Sequence, residues 1–381
     1  MLKVMLEEAI NQIRLLNRKR VCFRRACKIA KEESARLVVA PELTISLSNI
    51  KKSLLICRHT GWGDTLFLNG LIQTLHQEGV SVDLALKKCC LNRYRELTFI
   101  GALYDIDLVQ SRDILCKEYD CIVDLDYIAK LHSNIGFIHD YKCVKLTCSD
   151  VYRRLEIFDY YVDFSKFPHI ADRYSHIASC LVGKKLKIRP KISFSPQNIQ
   201  EANNFLSAIK YVNKEFIYVN AVGRDADRCF SKEQIVAILK CVLEHTKLGI
   251  ILYSPKVNLK ELIDFLPQED GRLFQAPNID FFSIASLVMQ SRAIISPDTS
   301  IVHLASTFNI PVMAVFCKDD IDYFKKYYVS EVWAPLSSGS MIVDFSAGKQ
   351  LFTKTIPIAS IGSDLSVETE QFLCSLHLRE G

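Results

Sequence analysis

The feature that most constrains this chain is a junction that occurs twice: a short apolar strand, a tight turn carrying a carboxylate, then an amphipathic helix. It appears first at Leu54-Leu55-Ile56-Cys57-Arg58-His59-Thr60-Gly61-Trp62-Gly63-Asp64 and again at Ala293-Ile294-Ile295-Ser296-Pro297-Asp298-Thr299-Ser300-Ile301-Val302-His303. A strand that feeds a helix through a short turn is the repeating unit of a doubly wound sheet. Two such junctions in distant parts of one chain predict two α/β lobes facing one cleft.

The second junction predicts a helix beginning at Pro297, whose missing N–H is no loss in a first turn. Asp298, Thr299 and Ser300 are residues that cap open backbone donors. A helix N-terminus presents N–H groups and a partial positive charge, so at the end of a strand it is a seat for a diphosphate. His303, one turn further in, reaches the same phosphates, braces Asp298, or is simply packed. An ordinary capped helix stands as the alternative. Between the two junctions, Phe216 to Asn220 reads as a strand entering a glycine turn at Gly223, with Arg224 and Arg228 in the loop that follows.

The stretch from Ser296 to Phe316, with Asp298-Thr299-Ser300, then His303-Leu304-Ala305-Ser306 and Pro311 before a strand, resembles the signature of the heptosyltransferases, glycosyltransferase family 9. It departs from that pattern at Ser300 and Cys317, each in place of a glycine. Arg58 to Leu66 is similar to the family's opening motif, and the segment around Gly223 to its glycine loop and basic run. The resemblance covers about residues 52 to 378 and implies the two-lobed GT-B fold with Rossmann-like lobes. It implies Asp64 as catalytic base, taking the proton of an acceptor hydroxyl as that oxygen attacks the anomeric carbon. It implies Gly223, Arg228, Asp298, Thr299, Ser300 and His303 on the donor, Arg224 and Glu261 as reserve donor contacts, and Arg58 and Gly63 on the acceptor side. The activity implied is inverting, metal-independent transfer of heptose from ADP-heptose to a sugar hydroxyl of the lipopolysaccharide or lipooligosaccharide inner core. No cofactor is expected. An N-cap of the helix is the alternative role for Asp64, and the two roles are compatible.

Composition sets the outer bounds. A chain of 381 residues, 49% hydrophobic and 24% charged, is ample for two lobes. No apolar run reaches the roughly 20 residues a spanning helix needs, and the first residues lack a signal-peptide pattern, so the expected location is cytoplasmic. Fourteen cysteines without a C-x-x-C pair read as reduced core thiols. Residues 1–60 hold thirteen Lys or Arg against five Asp or Glu, a balance of +8 in a chain of net +5. With Leu2, Leu6, Ile10, Ile13 and Leu16 near helical spacing, residues 1–50 read as a basic helical extension. Two uses stand side by side: holding the enzyme on an anionic membrane, close to a lipid-linked oligosaccharide acceptor, or packing on the body with solvated cations. No nucleic-acid recognition motif accompanies the charge.

The expected divisions are 1–50, an acceptor-binding lobe at 51–187 and a nucleotide-sugar-binding lobe at 188–381, whose last helix, Val367 to Leu378, crosses back to the first lobe. Strands are expected at Val80 to Leu86, Cys121 to Asp126, Val144 to Leu146, Phe216 to Asn220, Gly249 to Tyr253, Ala293 to Ser296 and Val312 to Phe316. Other readings compete. A different nucleotide sugar fits the same fold. Gly61-x-Gly63 with Asp83 echoes the fingerprint of an NAD-dependent oxidoreductase. Asp124-Leu125-Asp126, or less well Asp320-Ile321-Asp322, matches a metal-binding Asp-x-Asp. An inactive binding protein would keep the fold alone.

Overall fold

The computed structural model describes residues 20–21, 23–31, 35–44, 46–47, 49–94, 97–108, 117–127, 136–211, 214–223, 228–255, 257–267, 271–316, 330–344 and 365–378. The chain divides into two compact units, Met1–Ile188 and Arg189–Gly381. Arg224, Cys317, the Asp320-Ile321-Asp322 run and the apolar positions of residues 2–16 lie outside the described residues.

The first unit is built on a parallel sheet of six strands in the order β3-β2-β1-β4-β5-β6. These are β1 (Lys52–Cys57), β2 (Ser81–Leu86), β3 (Ile100–Asp105), β4 (Cys121–Asp124), β5 (Val144–Thr147) and β6 (Tyr160–Tyr161). The central strands are mostly apolar because both their faces are covered, and Leu54, Leu55, Ile56, Ile122 and Val123 are fully buried. Helix α1 takes in the described residues 20–21 and 23–31. After it come α2 (Trp62–Gln77), α3 (Lys88–Leu91) and α4 (Ile170–Val182), which ends at left-handed Gly183.

Among the described residues of the expected helical extension, the helix is followed by extended chain. Residues 35–44 form a strap that runs beside β6, with Leu43 N donating to Tyr161 O at 2.8 Å and Tyr161 N donating to Pro41 O at 2.8 Å. Leu37 bridges Leu155. The reason is local: Leu37, Val38 and Val39 include two β-branched residues, and Pro41 follows, which together favour extended backbone over helix. A two-residue β6 would otherwise leave its edge open.

The second unit repeats the plan in the order β12-β11-β10-β7-β8-β9, all parallel. The strands are β7 (Phe216–Asn220), β8 (Gly249–Tyr253), β9 (Leu273–Gln275), β10 (Ala293–Pro297), β11 (Val312–Phe316) and β12 (Met341–Asp344). Around them lie α5 (Pro196–Ala208), α6 (Lys232–His245), α7 (Lys260–Ile263), α8 (Phe281–Val288), α9 (Ser300–Phe308), α10 (Ser330–Trp333) and α11 (Ser366–Ser375). Ser195 and Ser231 open α5 and α6 with reciprocal capping boxes. Helix α11, expected to cross to the first lobe, buries Phe372 and Leu373 in the second unit's core with Ile238, Leu239 and Val242 of α6. Among the described residues no helix is long and apolar enough to cross a membrane.

Candidate active site

In the first unit the candidate residues gather where β1 and β4 end. Asp64 is the third residue of α2, and the N-cap position belongs to Gly61. Its carboxylate turns back over the start of the helix and accepts from the backbone N–H groups of Gly61 and of Asp64 itself. A Cβ on Gly61 would stand 2.6 Å from Asp64 Oδ2, so glycine is what lets the carboxylate fold back. Burial pushes the Asp64 carboxyl above the usual range. His59 opposes that shift and Asp126 adds to it. Gly63 occupies the second helical position, beside Asp64.

The turn itself is tied from outside. Arg93 Nη1 donates to Thr60 O at 3.0 Å, to Gly61 O at 3.4 Å and to Thr65 Oγ1 at 3.0 Å. Its guanidinium lies 4.1 Å from the centre of the Trp62 ring. Sequence reasoning passed over Arg93, because nothing in a loop arginine signals which carbonyls it will find.

Arg58 is buried at 5% exposure, beneath the turn. Its Nη1 donates to Asp124 Oδ1 and to Asp126 Oδ2, each at 2.8 Å, and its backbone N–H donates to Asp126 Oδ1 at 3.2 Å. The Asp-x-Asp pair is engaged by arginine, so its two carboxylates hold a resident cation. Arg58 in turn is a structural brace for the turn that carries Asp64. His59 Nε2 sits 3.3 Å from Asp126 Oδ1, and its ring stacks on Tyr127 at 4.6 Å. Asp83, the candidate ribose ligand, lies buried inside β2 and accepts from Tyr119 Oη at 2.9 Å, away from the strand end where such a contact belongs.

In the second unit the strand runs one residue further than expected. Pro297 closes β10 and Thr299 is the N-cap of α9, its Oγ1 accepting from Ile301 N at 3.2 Å. Proline loses no ladder partner here, because its neighbour Asp298 donates instead to Val315 O at 2.9 Å. Ser300 is thus the first helical residue. Asn220, at the end of β7, locks the turn from below: its Nδ2 lies 2.9 Å from Val222 O, 3.0 Å from Ser296 Oγ and 3.2 Å from Thr299 Oγ1. Asn220 went unnoticed in the sequence, although a buried amide at a strand end is the signal that could have found it.

Arg228 and Asp298, both expected on the donor, meet as a partly exposed pair with Arg228 Nη1 3.2 Å from Asp298 Oδ2. Gly223 makes room for this arginine, since a Cβ there would come within 2.5 Å of Arg228 Cβ and 2.6 Å of Arg228 O. Gly223→Ala is therefore expected to displace Arg228 from Asp298 and to weaken nucleotide binding while leaving the rest of the sheet folded. Calorimetry with ADP beside a melting curve checks this. His303 lies at 4% exposure against Trp333, ring centres 5.3 Å apart. Glu261 is exposed on the short helix α7. No cluster of His, Cys, Asp or Glu among the described residues has metal-binding geometry.

The model of glycosyltransferase family 9 (heptosyltransferase) matches residues 137–344. The chain belongs to glycosyltransferase family 9. The matched region takes in Gly223, Arg228, Asp298 and His303, and Asp64 precedes it. Among solved structures, Escherichia coli ADP-heptose LPS heptosyltransferase II is similar at TM-score 0.61 and 14% identity, over 85% of this chain and 98% of that one. A family 9 glycosyltransferase from Veillonella parvula DSM 2008 is similar at TM-score 0.63 and 11% identity, over 86% and 97%. E. coli heptosyltransferase WaaC with ADP is similar at TM-score 0.57 and 14% identity, over 84% and 96%. At these identities the likeness is one of fold, and it is the GT-B fold with two parallel six-stranded sheets. No curated protein matches the chain in sequence.

Proposed function

We propose that this family 9 glycosyltransferase is an inverting, metal-independent enzyme that moves a heptose from ADP-heptose to a sugar hydroxyl of the lipopolysaccharide or lipooligosaccharide inner core. The observation that carries the reading is the Asp64 carboxylate: backbone N–H groups hold it at the head of α2, and burial raises its pKa, as suits a general base. In the step proposed, Asp64 takes the acceptor proton and the acceptor oxygen bonds to the anomeric carbon from the face opposite the diphosphate. The carbon–oxygen bond to ADP breaks, which inverts the centre.

The leaving charge is met by Arg228 and by the N-terminal N–H groups of α9, with Thr299 fixing the turn and Ser300 at the first position of the helix. His303 supports that helix from within. The acceptor is lipid-linked, and the enzyme works in the cytoplasm at the inner face of the membrane. Support for the donor comes from the neighbours in fold, one an ADP-heptose LPS heptosyltransferase and another solved with ADP.

Titration with ADP, UDP and NAD, each with and without EDTA, tests the reading. Binding of ADP that survives EDTA is the expected result. Preference for UDP would move the donor to another nucleotide sugar, for which Ser300 is the natural cause, and NAD binding alone would overturn the proposal. Asp298→Ala is expected to lower ADP affinity, because Arg228 then loses the carboxylate that orients it.

A further inference from the structure

We propose that helix α1 and the strap at residues 35–44 and 46–47 form a docking surface for a bilayer rich in anionic lipid. The inference deepens the reading of a membrane-borne acceptor and rests on it for its purpose, though not for its geometry.

The two elements have distinct inner and outer sides. Helix α1 buries Ala26, Ile29 and Ala30, and the strap buries Ala40, Leu43 and Leu47. What they leave outside is unusual for a surface. Leu37, Val38 and Val39 are three consecutive aliphatic residues at 46%, 51% and 58% exposure, and Val21 and Phe23 on α1 are at 40% and 50%. The strap does not lift away from the body, because Val38 N donates to Arg154 O at 3.1 Å and Ala40 N to Arg153 O at 2.6 Å. These aliphatic side chains are held out by a fixed backbone.

Charge selects the occupant. Arg20, Arg24, Lys31 and Arg36 are exposed on the same two elements. Among the described residues, two acids beside the strap are matched: Glu42 accepts from Lys166 at 2.6 Å, and Glu156 accepts from Arg36 N at 2.9 Å. Aliphatic residues interleaved with cations suit an interface whose headgroups are anionic and whose acyl chains begin just below. A second copy would bring the same +8 of residues 1–60 against itself and be repelled.

The test uses the full chain sedimented with vesicles of phosphatidylcholine alone or with phosphatidylglycerol added. Uptake by the anionic vesicles only, weakened by salt, is the expected result. The double variant Val38→Glu, Val39→Glu should reduce uptake about tenfold or more, and Arg20→Glu, Arg24→Glu should remove most of its salt dependence. Both pairs are exposed, so melting curves and ADP titration should match those of the parent protein. Equal uptake by neutral vesicles, or undiminished uptake by the Val38, Val39 variant, would overturn the proposal. So would a dimer that this variant dissolves without any vesicle uptake by the parent. Loss of ADP binding by the parent with vesicle uptake intact would count against the donor assignment and leave the surface standing.

Discussion

Asp64→Asn should abolish all but a small residue of turnover, a loss on the order of 10²- to 10⁴-fold, while ADP binds as before. The amide fills the same space over Gly61, so the turn keeps its shape and only the proton acceptor is lost. Affinity for ADP is the control that separates this from a folding defect, because the proposed donor residues Arg228, Asp298 and Thr299 belong to the other unit. A variant that lost ADP binding and turnover together would sink the division of roles. The pH profile adds an independent test with a defined sign. A base works ionised, so the rate climbs as pH rises through the Asp64 pKa. Burial lifts that pKa above the ordinary carboxylate range, and the acid limb of kcat/KM should be displaced upward with it. His59 is the group that opposes the lift, so His59→Gln should carry the limb further up. A merely structural histidine would change the rate without moving the limb.

The strands that were legible in the sequence share a position in the fold. Every strand expected from its apolar pattern is an interior strand, and β3, β6, β9 and β12, which were missed, are the four edges. A strand buried on both faces must be apolar throughout, as Phe216–Asn220 and Val312–Phe316 nearly are, so it announces itself. An edge strand has one partner and partial cover. Ile100–Asp105 is mostly half-buried, and Tyr160–Tyr161 is two residues long, so neither has a pattern to read.

The site shows the same division between what is local and what is not. Thr299 and Ser300 at the head of the helix are consequences of neighbouring residues and could be foreseen to within a residue, whereas the cap expected of Asp64 falls to Gly61. The error at Pro297 was a boundary error of the usual size, since a proline suits both the last strand position and the first helical one. The partners of Arg58, Arg93 and Asn220 were invisible because they come from β4, the α2 turn and β10, brought close only by the sheet order. The cation that Asp124-Leu125-Asp126 engages was hidden for that reason: Arg58 stands one strand away.

That arginine carries the second large effect. Arg58→Ala should destabilise the first unit by about 3–5 kcal/mol, the cost typical of leaving buried charges without their partner. Asp124 and Asp126 would both be left so, at 0% and 2% exposure. Lysine would not restore the arrangement, because a single guanidinium arm now spans both carboxylates while the rest of the planar group fixes its orientation. The loss should depend on pH. Burial already pushes the Asp124 carboxyl up, with Arg58 the main force holding it down. Without Arg58, the folded variant binds a proton at Asp124 more tightly than its unfolded chain does. Its stability relative to the parent must then recover as pH falls and worsen as pH rises. Urea denaturation at pH 5.5 and 8, followed by Trp62 fluorescence in a Trp333→Phe background, reads the first unit alone, because the chain has two tryptophans. A deficit equal at both pH values would mean that Arg58 acts by packing and leaves the two carboxylates indifferent to its charge.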